Sequence, residues 1–149
     1  MAVYLKNATR KGGLDPRKLR ATAQSLLEAL EEGESSLSLS FVGDEAIREL
    51  NRAYRGIDKP TDVLSFSLVE DSAALDESER LLGDIVISLD TARRQAAEYD
   101  ATLDREVARL LIHGLLHLLG HDHHEPGERA TMEREERRLA RAIGLEWPY

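Results

Sequence analysis

The chain has no cysteine, which excludes a disulfide framework and a thiolate-ligated metal. Aromatic residues make up only 5% of its 149 residues, and proline occurs four times. No run approaches the ~18 consecutive apolar residues of a membrane-spanning helix. The opening residues, MAVYLKNATR, lack the apolar centre of a secretory signal. These absences lead to the expectation of a cytoplasmic protein with no membrane partner. Apolar residues at 42% and charged residues at 32% predict a core and a solvated surface, so one domain spanning 1–149 is expected rather than a disordered chain.

Positive charge is also in deficit. A net charge of −8 weighs against nucleic acid in general, and no DNA partner is expected. The sign is uneven, however. Residues 1–20 carry six basic side chains against Asp15 alone, whereas 69–80 hold five acids against Arg80. A negative total can hide a positive face.

Turn residues and hydrophobic period divide the chain. AVYLKN (2–7) reads as a strand. Residues 15–33 read as a helix with Asp15 as N-cap, Pro16 in the first turn and Gly33 closing the end. In SLSLSFVG (36–43), Leu37, Leu39 and Phe41 alternate with serines, the pattern of a strand with one buried face. A helix capped by Asp44 follows over 44–55, then a turn-rich loop at 56–62, a strand at 63–69 and an acidic loop at 70–80. LGDIVIS (82–88) is a β-branched strand. Helices are predicted over 90–100, over 103–120 ending at Gly120, and from Pro126 to near Gly144. The expected fold is α/β or α+β, a mixed sheet of about four strands packed with about five helices.

All five histidines fall in HGLLHLLGHDHH, residues 113–124. His113 and His117 are four apart on a predicted helix, so their imidazoles share one face about a turn apart. Leucine and isoleucine surround them, so the helix reads as buried. Each buried imidazole left without a partner costs about 1–3 kcal/mol, and a shared metal ion satisfies both. Past Gly120 the chain can turn back and offer His121, His123 or His124 as a third ligand. Three nitrogens with an open position suit a catalytic zinc ion; a structural site closed by His121, His124 or Asp122 is the alternative.

His113, His117, Gly120 and His123 also fit the H-x-x-x-H-x-x-G-x-x-H skeleton of metzincin proteases. Those enzymes carry a glutamate base directly after the first histidine, where this chain has Gly114. Two roles suit that glycine: room for a substrate above the ion, or close helix packing.

HGLLHLLGHDH (113–123) resembles the signature of the YbeY family, bacterial metal-dependent endoribonucleases of ribosomal RNA maturation. NRAYRGIDKPTDVLSF (51–66) and LGDIVIS (82–88) are similar to that family's two other typical stretches. The resemblance implies one zinc or other divalent ion per chain, held by His113, His117 and His123, with Arg55 acting beside the cleft. It implies cleavage of single-stranded RNA at the 3′ end of small-subunit 16S rRNA, a part in ribosome quality control, and the small subunit and its assembly factors as partners. Arg52 and Lys59 join Arg55 as expected RNA contacts. Asp84, Asp122 and His121 are candidates to orient or replace a ligand. The chain departs from the family at His121, where relatives usually carry tyrosine, and at Ser67, where many carry proline. A ribosome-assembly factor with a purely structural metal, or a zinc peptidase, are the rival readings.

Overall fold

A computed structural model describes residues 3–9, 13–67, 80–121 and 125–147. In chain order the elements are β1 (Val3–Asn7), α1 (Pro16–Ala29), β2 (Ser36–Val42), α2 (Asp44–Arg55) and β3 (Val63–Ser67). There follow β4 (Leu81–Ser88), α3 (Leu89–Glu98), α4 (Leu103–Leu118) and α5 (Pro126–Ala142). The four strands form one mixed sheet in the order β1-β2-β4-β3. β1 and β4 run parallel to β2, while β3 pairs antiparallel to β4 and forms an edge. The α+β architecture, the strand number and the helix number agree with the expectation from sequence.

The alternation in β2 sets one buried face. Leu37, Leu39 and Phe41 enter the main core with Ile85 and Ile87 of β4. α4 lies across that face, with Val107, Leu111, Leu115 and Leu116 buried. Helices α1, α3 and α5 enclose it, which explains why this helix is apolar almost all round. α2 covers the opposite face. There Ile47, Leu64 and Val86 form a second, smaller cluster flanked by Phe66.

Three end signals are realised. Asp15 accepts from the backbone N–H of Arg17 at 3.0 Å, with Pro16 in the first turn of α1. Gly120 ends α4 with φ +92°, and the N–H of His121 reaches the carbonyl of Leu116 at 3.0 Å. Pro126 opens α5.

Two end signals are corrected. α1 stops at Ala29 rather than reaching Gly33, and Glu31 adopts the left-handed conformation at φ 60°. The last buried residues of α1 are Leu26 and Leu27; Ala29 and Leu30 still pack on the core, and the chain leaves the helix at the acidic pair Glu31-Glu32 that follows. Nor does Asp44 cap α2. Gly43 is the N-cap, and Asp90 accepts the Asp44 N–H at 3.0 Å. The Asp44 carboxylate turns instead to Ser88, Thr91 and Arg94.

Candidate metal centre and the cationic helix end

α4 sets His113 and His117 on one face, as the four-residue spacing requires. Their Nε2 atoms lie 3.1 Å apart, and the rings meet at 69° with centroids 4.6 Å apart. Both side chains are half-buried, whereas their neighbours Ile112, Gly114 and Leu116 are buried. Two imidazole nitrogens on one tetrahedral zinc ion, each about 2.0–2.1 Å from it, stand about 3.3 Å apart. The pair is therefore close to the separation that a shared ion demands.

Behind His113 stands a carboxylate that the sequence reading missed. Glu136 Oε1 lies 3.8 Å from His113 Nδ1, and Glu136 is only 8% exposed. A carboxylate on that side favours a proton on Nδ1 and leaves the Nε2 lone pair aimed at a ligand. The signal was available in α5. Met132, Glu136, Leu139 and Ala140 make its buried stripe, and a charged residue inside such a stripe calls for a partner.

Asp122, His123 and His124 lie outside the described residues. Among the described residues no group of three His, Asp or Glu side chains could hold one ion. His121 is half-buried and lines a shallow recess with Gly127, Glu128 and Thr131 at the start of α5.

The structure decides between the two roles for Gly114. A Cβ there would lie 3.0 Å from Ile85 Cγ2 and 3.1 Å from Ser65 Oγ. Ser65 Oγ also donates to the Gly114 carbonyl at 2.9 Å. The glycine lets α4 sit tightly on the sheet. Gly83 does the same from the strand side, since its Cβ would fall 2.8 Å from Leu118 Cδ2 of α4, and it also clears the Phe66 carbonyl oxygen of β3, which a Cβ would meet at 2.2 Å.

Asp84 lies across the sheet from the histidines. It pairs with Phe66, whose side chain joins the cluster under α2, while Ile85, the next residue, faces Gly114. Thr61 and Asp62 stabilise the loop before β3. Asp62 accepts from the N–H of Val63 at 2.8 Å and from Gln95 Nε2 at 3.3 Å.

The basic candidates gather at the C-terminal end of α2. Arg48 pairs with Asp58 through Nε and a terminal nitrogen, at 2.8 and 3.2 Å. Arg52 pairs with Glu49 at 2.7 Å. Arg55 and Lys59 are exposed, and neither pairs with a carboxylate among the described residues. Neither Asp58 nor Asp62 engages Arg55. Asn51, 2% exposed, donates to the Lys59 carbonyl at 2.8 Å and folds the loop back on the helix.

A small α+β protein with paired imidazoles on a central helix and a cationic helix end beyond its edge strand is the class that fold and site define. Comparison with known proteins narrows it. The family profile "Endoribonuclease YbeY" matches residues 4–144. The endoribonuclease YbeY of Anaeromyxobacter sp. (strain Fw109-5) is 47% identical over 97% of this chain and 73% of its own length. That of Pelotomaculum thermopropionicum is 46% identical over 97% and 99%. The solution structure of TM1509 from Thermotoga maritima superposes with a TM-score of 0.63 at 26% identity, covering 95% of this chain and 88% of that one. The chain belongs to the YbeY family of endoribonucleases.

Proposed function

We propose that this endoribonuclease cleaves single-stranded RNA with a divalent ion, zinc or another, held by His113, His117 and His123. Its substrate is the 3′ end of small-subunit 16S rRNA, and its partners are the small subunit and assembly factors, in maturation and quality control in the cytoplasm. The observation that carries the reading is the pair of Nε2 atoms 3.1 Å apart, backed by Glu136. The ion supplies Lewis-acid charge that activates water and offsets charge on the phosphoryl oxygens. The chain's own groups do the rest. Glu136 keeps the His113 ring in one orientation. Arg55, at the end of α2 and with no carboxylate partner among the described residues, holds a phosphate oxygen. Lys59 adds charge along the RNA path, which Arg52, paired with Glu49 at 2.7 Å, borders, and Asp122 or His121 lies within reach in sequence to steady the third ligand. Gly114 offers no side chain to serve as a peptidase base, and a Cβ there would press on Ile85 at 3.0 Å.

The test is cleavage of a single-stranded rRNA fragment by purified protein. Chelation should stop it, and His117→Ala should remain folded by circular dichroism yet inactive. Cleavage that survives both would contradict the reading.

A further inference from the structure

Tyr54 is 68% exposed in a chain with only seven aromatic residues. Its ring meets that of Phe66 of β3 in a T-shaped contact, with centroids 5.0 Å apart and planes at 64°. Its neighbour in sequence is Arg55, which has no carboxylate partner among the described residues. Gly56, at φ 71°, ends the helix, and Ile57, 40% exposed, lies just past it. The loop is held twice, by Arg48 on Asp58 and by Asn51 on the Lys59 carbonyl. Its apolar and cationic side chains are thus displayed on a fixed backbone. Arg48 and Arg52 are neutralised by their partners, and Arg55 and Lys59 are the cations left for an outside anion.

The edge strand joins this surface to the histidines. Phe66 carries Tyr54 on one face of β3, and Ser65, the preceding residue, bonds Gly114 beside His113 on the other. A flat aromatic face flanked by unpaired cations is complementary to an unpaired base between two phosphates.

We propose that Tyr54 is a stacking platform for one unpaired base of the RNA, with Arg55 and Lys59 holding the adjoining phosphates across the β3 edge. This rests on the endoribonuclease reading and adds to it the part of the chain that selects single strands. Base stacking tolerates any base, so the platform reads strandedness and not sequence.

The experiment measures anisotropy of a fluorescein-labelled, single-stranded pyrimidine 12-mer RNA with the full chain in chelator, and cleavage of an unlabelled strand by the same proteins without chelator and with zinc supplied. Tyr54→Ala should weaken binding about 5- to 100-fold and raise KM with little change in kcat. Tyr54→Phe should restore wild-type affinity. Binding of a fully paired RNA should hardly move. Equal melting temperatures for the three proteins exclude a folding effect. If Tyr54→Ala binds and cleaves as the wild type does, the platform is overturned and the enzyme reading stands. A loss equal for single-stranded and paired RNA also overturns it. A wild type that neither binds nor cleaves single-stranded RNA overturns both.

Discussion

Ser65 of β3 donates a 2.9 Å hydrogen bond to the carbonyl of Gly114, the residue directly after the first histidine of the pair. The bond ties the strand edge to the histidine helix beside the pair. Gly114 is what permits it, since a methyl there meets Ile85 on a fully buried strand position. Gly114→Ala gains about 1 kcal/mol of helix propensity. Overpacking against Ile85 costs about 1–3 kcal/mol. The expected outcome in urea unfolding is a net loss of stability, not the gain that an exposed helix would show.

Glu136 acts through His113. Glu136→Gln keeps the shape of the side chain and removes the charge behind Nδ1. Zinc affinity, measured by competition with a chromophoric chelator, should fall about 10- to 100-fold with the fold intact. Unchanged affinity would reduce Glu136 to a packing residue.

Asp44 gives the fold an acid-sensitive joint between α2 and α3. Burial raises its carboxyl pKa, but hydrogen bonds from Ser88, Thr91 and Arg94, with the Arg94 charge, outweigh that and hold it below the ordinary 3.8. A carboxyl with a depressed folded pKa stabilises fully above its unfolded pKa, and that stability is lost as pH falls through the folded value. The contribution is therefore whole above about pH 5 and drains away below about pH 4. Asp44→Asn should be less stable than wild type at pH 7 and show a flatter decline between about pH 5 and pH 3 in urea titrations.

Glu106 is 3% exposed and paired with Arg109, which also bonds Gln95 at 3.1 Å. Gln95 in turn reaches Asp62 before β3. Glu106→Ala removes the carboxylate beside a largely buried Arg109, which keeps its bond to Gln95, and should cost about 1–3 kcal/mol. Replacing Glu106 and Arg109 together by apolar residues of like volume should cost much less. Chemical unfolding of the single and double variants separates the two cases.

Features set by local chemistry were legible before any coordinates. The i, i+4 spacing placed His113 and His117 on one face, the serine–leucine alternation set the buried side of β2, and Asp15-Pro16 began α1. What escaped depends on partners far along the chain. Glu136 meets His113 only because α5 packs on α4, and Asp90 takes the cap of α2 across 46 residues. Gly114 looked equally suited to a substrate or a neighbour until Ile85 was found against it. Asp84 is a candidate in the sequence to orient a ligand, but the two-residue period of β4 turns it to the other face. The left-handed Glu31 gave no signal, since glycine at 33 was the better local candidate.

The account turns on convergence of three imidazoles, and metal content tests that most directly. Purified wild type, His113→Ala, His117→Ala and His123→Ala, each shown folded by circular dichroism, are analysed for zinc and other divalent metals. About one equivalent per chain in the wild type and a small fraction of that in every variant is the predicted result. A wild type that carries no divalent ion when supplied with one, or a His123→Ala protein that retains a full equivalent, would contradict the account.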